Sequence, residues 1–170
     1  KRQIFLIQNL VNEFSTYARL PKANITKLNL SEICLVYIEE YKRNYDKIII
    51  NHNIEENLFV NFDHSYLDII FNNLFKNSIE ALASTNNPAI DIILKKIDNS
   101  LILIFFDNGP GFDGDINDLI KPYFSTKNSS GLGLSLINKI ITDNSYKMNI
   151  TTNSYSGFKI ELIFYDKNIS

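Results

Sequence analysis

Apolar residues recur along this chain with two different periods, and the points where the period changes divide it into elements. Ile4, Ile7, Val11, Phe14 and Ala18 follow one another at steps of 3, 4, 3 and 4, the stripe of an amphipathic helix. This predicts a helix over residues 1–20, stopped by Pro21. Two heptads of stripe suit one half of a hairpin or coiled coil; they equally suit an ordinary helix packed on its own domain. Residues 22–30 read as a linker with a short strand at 27–30. Ser31 is in position to cap a helix to about Asn44, with Ile33, Val36, Tyr37 and Tyr41 along one side. Two strand-like runs follow at 47–51 and 57–61, joined by a polar turn. Asp63 then caps a long helix over 64–84, with Leu67, Ile70, Leu74, Ile79 and Leu82 on its core face. Asn86-Asn87-Pro88 closes it.

The second half opens on strands. Residues 90–97 and 101–106 are strong strand runs, with Asp98-Asn99-Ser100 as a hairpin turn between them. Residues 113–130 are polar and irregular around an apolar centre at 119–124. Gly131-Leu132-Gly133-Leu134 opens a helix to about Thr142. Strands at 147–152 and 158–165 follow, joined by a turn around Ser156-Gly157. There is no internal repeat. Three helices and about five strands, mostly in antiparallel neighbours, predict an α+β fold. Its form would be a two-layer α/β sandwich with a mixed sheet, preceded by the N-terminal helix.

Composition narrows this reading. A chain of 170 residues holds one domain and a short appendage. At 45% hydrophobic and 21% charged residues it can bury a globular core. The net charge of -2, with no basic block, argues against a nucleic-acid partner. No apolar run approaches the roughly 18 residues of a membrane span. The opening Lys1-Arg2-Gln3 does not resemble a signal peptide, and without an initiator Met the chain reads as part of something longer. The lone Cys34 cannot form an internal disulfide, which fits a reducing compartment; a cytoplasmic location is expected. Ile, Asn and Lys are over-represented, so a motif built from Asn alone carries little weight.

Four stretches carry possible chemistry. Asn73 and Asn77 lie one helical turn apart on the long helix, so both amides share a face. An amide oxygen can complete the shell of a Mg²⁺ that keeps its waters and phosphate oxygens. Asp107-Asn108-Gly109-Pro110-Gly111-Phe112 follows an apolar strand, which delivers a single carboxylate to its end. Such a group can accept from an exocyclic amine, and glycines there let backbone approach a flat ring; the same residues also make a plain turn. Gly131-Leu132-Gly133-Leu134 stands at a helix start, where unpaired N–H groups favour phosphate, although a Gly pair can simply cap a helix. Finally, Lys121 to Lys127 sits inside a long irregular segment of the kind that forms lids. There Lys127 could reach a terminal phosphate as a point charge.

The order of these pieces is more specific than any one of them. An Asn helix, an acidic Gly turn, an aromatic lid and a Gly-x-Gly helix resemble the N, G1, F and G2 boxes of the GHKL ATPase superfamily. That superfamily takes in gyrase, the large heat-shock chaperone ATPase, the MutL mismatch-repair ATPase and the histidine kinases. The phrases Asn73-Leu74-Phe75-Lys76-Asn77-Ser78-Ile79-Glu80-Ala81, Asp107 to Phe112, Pro122 to Lys127 and Gly131 to Leu134 look most like the kinases, over roughly residues 25–165. Val11 to Pro21 resembles the end of the second dimerisation helix in the nitrogen-regulation branch. The resemblance divides the chain into residues 1–21, the end of that helix, and 22–170, a catalytic ATP-binding domain with a Bergerat-type fold.

The resemblance also implies a function. The chain would bind ATP with Mg²⁺ and help transfer the γ-phosphate to a histidine on a dimerisation domain outside this sequence. Asp107, with Gly109 and Gly111, would select adenine. Asn77 would hold the metal, supported by Asn73. Gly131, Leu132, Gly133 and Leu134 would cradle phosphates, with Phe124, Thr126 and Lys127 in the lid; Asn73 and Lys127 would act in catalysis. Implied partners are the kinase's own dimerisation helices and a response regulator. Residues 1–20 could also pair with a second copy of this chain, and a membrane anchor could lie in segments outside it. The rival expectations are a GHKL ATPase, a serine kinase of the anti-sigma type, or a degenerate nucleotide-sensing module. Three positions depart from the family pattern. Phe158 stands where a Thr is usual, Asn144-Ser145-Tyr146 replaces His-Gly-Gly, and Glu80 stands where some kinases carry a cation. Neither His52 nor His64 is expected to accept phosphate.

Overall fold

The computed structural model describes Val11, Ser15 and residues 19–125, 130–152 and 157–165. Val11 and Ser15 are helical and exposed; the rest of the 1–18 stripe lies outside the described residues. In order come β1 (Thr26–Asn29), α1 (Leu30–Asn44), β2 (Ile49–Ile54), β3 (Phe59–Phe62), α2 (His64–Leu82), β4 (Ala89–Ile97), β5 (Ser100–Asp107), the short α3 (Ile116–Leu119), α4 (Gly133–Asp143), β6 (Lys147–Thr152) and β7 (Phe158–Tyr165). Among the described residues no helix is long and apolar enough to cross a membrane.

Alternation builds the principal sheet, whose order is β2-β4-β5-β7-β6. Ile90, Ile92 and Leu94 of β4, Leu101, Leu103 and Phe105 of β5, and Ile160, Leu162 and Phe164 of β7 are buried. The residues between them remain half exposed. One face therefore packs on a helical layer, as the period of two requires. The helices contribute Leu30, Cys34 and Ile38 from α1, Leu67, Ile70, Phe71, Leu74, Phe75 and Leu82 from α2, and Leu136, Ile137, Ile140 and Ile141 from α4. Burial pushes the Cys34 thiol up to about 12, so this cysteine acts as a small apolar core residue. The α+β sandwich and mixed sheet match the sequence reading: β2 runs parallel to β4, and the other pairs of this sheet are antiparallel.

Three details go beyond that reading or differ from it. The runs at 47–51 and 57–61 do not pair with each other: β2 joins β4, and β3 pairs with β1 in a separate two-stranded sheet. Their partners lie far along the chain, beyond what a local pattern can report. Ser31 is not the cap of α1. Asn29 takes that place, its side chain accepting from the Glu32 N–H, while the buried Ser31 hydroxyl donates to the Glu55 carbonyl at 2.6 Å and accepts from the Leu58 N–H at 3.0 Å. It fastens α1 to the β2–β3 connection. The segment after residue 113, expected to be irregular, contains the single turn of α3.

Asp63 caps α2, as the sequence predicts. Its carboxylate accepts from the Ser65 N–H at 2.7 Å, the Ser65 hydroxyl at 2.6 Å, the Tyr66 N–H and the Asn24 N–H. Burial alone would raise its pKa; these donors outweigh burial and hold it below the ordinary 3.8. A depressed folded value means a stabilising contribution that is complete above the unfolded pKa and is lost as pH falls through the folded one. Asp63→Ala should therefore cost about 1–2 kcal/mol near neutrality, with the gap to wild type narrowing in acid below the ordinary carboxylate value. Urea unfolding at several pH values measures both; a gap that widens in acid contradicts the assignment.

Candidate functional site

The buried alternation of β5 runs Leu101, Leu103, Phe105 and then Asp107. A carboxylate thus occupies the last core-facing position of an apolar strand and is 2% exposed. Burying a charge this way is costly unless donors surround it. The Ser78 hydroxyl donates to Asp107 Oδ2 at 2.7 Å, and the Gly109 N–H donates to Oδ1 at 3.0 Å. Asn108 turns the chain away: its Oδ1 accepts from the Ala89 N–H at 2.8 Å and its Nδ2 donates to the Asn87 carbonyl at 3.0 Å. Among the described residues, no buried side-chain nitrogen or oxygen lacks a partner.

A cleft opens beside this carboxylate. Asn73, Lys76, Asn77, Glu80 and Ala81 line one wall along α2, and the start of α4 supplies Gly131, Gly133 and Leu134. Asn73 Nδ2 donates to the Ile69 carbonyl at 2.7 Å, which aims its Oδ1 at α4. A Cβ on Gly133 would stand 2.8 Å from that oxygen, so a larger residue there would push the Asn73 amide aside. Among the described residues no side chain of the N-cap residue Leu132 caps α4, and the Ser130 hydroxyl accepts from the Leu132 N–H at 3.3 Å. The leading N–H groups of α4 and the positive end of the helix suit an anion.

The third wall is the segment after Gly111. Phe112 and Phe124 meet edge to face with centroids 5.9 Å apart, a favoured aromatic geometry. Leu119, Phe124, Ser125 and Ser130 also face the cleft. The Tyr123 N–H donates to the Gly131 carbonyl at 3.1 Å, which ties this wall to the residues that lead into α4.

Asn73, Asn77, Asp107, Gly111, Phe124, Gly131, Gly133 and Leu134 therefore border one cleft. Gly109 sits against Asp107, and Leu132 is buried just before α4 as its N-cap. Thr126 and Lys127 lie outside the described residues. Ser78 escaped the sequence reading. The available signal was a hydroxyl on the apolar stripe of α2, between Leu74 and Leu82, where a core residue is expected.

A sandwich that gathers an amide-bearing helix, a buried carboxylate and a glycine-flanked helix start around one cleft has the make-up of an ATP-binding domain. Residues 62–168 match the family model described as histidine kinase-, DNA gyrase B- and HSP90-like ATPase, and the chain belongs to that family. A putative sensor histidine kinase of the NtrY-like type from Rickettsia prowazekii is 28% identical over 162 residues, 93% of this chain and 27% of the relative. The nitrogen regulation protein NtrY of Azorhizobium caulinodans is 26% identical over 149 residues, 84% of this chain and 19% of that protein. The chain spans about a quarter or less of the length of these relatives. In fold it is similar to the Acinetobacter baumannii histidine kinase AdeS, with a TM-score of 0.80 at 18% identity over 98% of this chain and 82% of that one. The same holds for the histidine kinase ThkA solved with the response regulator TrrA, at a TM-score of 0.77 and 21% identity over 96% of this chain and 48% of that one.

The Ser78–Asp107 bond makes a direct prediction. Ser78→Ala withdraws a donor from a buried carboxylate and should destabilise the domain by about 1–3 kcal/mol. Ser78→Thr, which keeps the hydroxyl, should lose less. Urea denaturation of both variants measures the difference, and an alanine variant as stable as wild type would refute a net contribution.

Proposed function

We propose that the chain is the ATP-binding catalytic part of a sensor histidine kinase of the nitrogen-regulation type. It would position the γ-phosphate for transfer to a histidine on a dimerisation domain outside this sequence. The observation that carries this reading is the convergence of Asn77, Asp107 and the start of α4 on one cleft. The likeness to NtrY-type kinases supports it at the level of the whole protein.

In this reading Asp107 accepts from the adenine amino group, its carboxylate held by Ser78 and Gly109. The leading amides of α4 bind phosphate oxygens. Asn77 contributes an amide oxygen to Mg²⁺, which neutralises phosphate charge when bound, and Asn73 orients the phosphate end from the previous helical turn. The described residues hold no cluster of three His, Cys, Asp or Glu side chains fit for a metal. A single amide ligand therefore fits a hydrated ion that arrives with the nucleotide. Lys127 would add positive charge at the terminal phosphate. Phosphoryl transfer depends mainly on such positioning and electrostatics, so the fragment alone should bind ATP and hydrolyse it slowly. Residues 1–21 would end a dimerisation helix, and a response regulator would take the phosphoryl group onward.

Asp107→Asn replaces an acceptor facing the adenine amine with a group that can present a donor. Calorimetric titration with a non-hydrolysable ATP analogue should give affinity roughly tenfold to a hundredfold weaker in a folded protein. Unchanged affinity would remove Asp107 from the base contact. Asn77→Ala should abolish the gain in affinity that Mg²⁺ gives over EDTA; the same gain in both proteins would show that Asn77 is not the ligand. Incubation with labelled ATP and a supplied NtrY-type dimerisation domain should label its histidine. ATP turnover without labelling would favour the plain ATPase reading.

A further inference from the structure

We propose that Phe158 determines which nucleobases the cleft accepts. The inference rests on reading Asp107 as the contact to the base. Phe158 opens β7 and is the direct cross-strand partner of Asp107, on the same face of the sheet, and its side chain lines the cleft. Opposed residues in an antiparallel pair keep their Cβ atoms about 4.5–5.5 Å apart. A group that reaches the Asp107 carboxylate from the cleft therefore lies beside the Phe158 ring.

The backbone fixes the ring there. Gly157 has φ +79°, and a Cβ on it would stand 2.0 Å from the Asp107 carbonyl oxygen. The start of β7 thus lies hard against the end of β5. Thr152, the partner of Phe158 on β6, donates to the Gly157 carbonyl at 3.0 Å and accepts from the Phe112 N–H at 2.8 Å. That hydroxyl binds the acidic turn to the strand end and is committed to backbone. What faces the cleft at this point is a phenyl ring, which neither gives nor takes a hydrogen bond.

Two consequences follow for a bound base. The ring displaces water from the cleft side of Asp107, so an amino group is read by direct bonding in a drier setting, where a mismatched polar group is penalised more heavily. The ring also fills the volume that a substituent on that amino nitrogen would need. The cleft accepts an unsubstituted 6-aminopurine nucleotide and rejects one with an alkyl or aryl group on the amino nitrogen.

The test compares wild type, Phe158→Ala and Phe158→Thr by calorimetric titration with a non-hydrolysable ATP analogue and its N6-benzyl counterpart. Circular dichroism establishes that each protein is folded. Wild type should bind the benzyl compound about tenfold or more weakly than the parent, and Phe158→Ala should close most of that gap. Equal binding of both compounds by wild type overturns the proposal without any variant. So does a gap that persists when the ring is removed; if the alanine variant does not fold, Phe158→Thr carries the same comparison. Failure of wild type to bind the parent compound would instead overturn the assignment of the cleft.

Discussion

A carboxylate at a core position constrains the rest of this structure. Asp107 lies where the alternation of β5 calls for an apolar residue, facing the helical layer at the end of the strand. A charge there persists only with hydrogen-bond donors at close range. One is the Ser78 hydroxyl on α2, and another is the Gly109 amide of the following turn. The first fixes α2 against the sheet. The second requires the chain to reverse immediately, and Asn108 secures that reversal against the start of β4. The direction of the acidic turn, the depth of the cleft and the height of α2 above the sheet all depend on satisfying this one group.

Aromatic packing sets the separation at which that bond can form. Tyr41 of α1 stacks on Phe75 of α2 with centroids 3.8 Å apart, and Phe75 meets Phe105 of β5 edge to face at 4.9 Å. Phe75 lies three residues before Ser78, and Phe105 lies two before Asp107. The rings thus fix the gap between helix and strand next to the polar contact. Such contacts add modestly to apolar burial, about 0.5–1.5 kcal/mol each, but their directionality matters more here than their energy.

How much of this was legible in the sequence follows from the range of each signal. The alternation of β4 and β5, the turn between them, the apolar stripe of α2 with its Asp63 cap, and the Gly-flanked start of α4 are local patterns, and each lies within a residue or two of its predicted place. The destinations of β2 and β3 are not local. Their register partners lie 40 residues away for β2 (Ile49 with Ala89) and 30 or more for β3 (Phe59 with Asn29), and nothing in either run distinguishes an edge strand of one sheet from half of another. Asp107 was legible because a lone acid ending an apolar strand is conspicuous. Ser78 was not, because its meaning depends on which strand end faces it. Asn73 and Asn77 were ambiguous in a chain rich in Asn; the structure puts both beside Gly133 on the wall of the cleft.

On the proposed reading, the two ends of the cleft are built from different material, and the difference matches what each end would have to do. The base end is made of regular elements: Asp107 closes β5, Phe158 opens β7, and Ser78 and Ala81 lie within α2. A flat base is discriminated by the position of a few atoms, which calls for side chains locked by packing and by their own hydrogen bonds. The other end relies on backbone, through the leading amides of α4. Phosphates carry charge spread over many oxygens, so helix amides can bind them without a unique geometry. Asn73 lies where these two regimes meet. It is held to the backbone of α2 by its own Nδ2 and presents its Oδ1 to the first glycine of α4, so displacement of α4 changes the surroundings of the α2 amides directly. A substitution at the base end should therefore act mainly on which nucleotide binds, whereas one at the Gly131–Leu134 end should act on how tightly any nucleoside triphosphate is held.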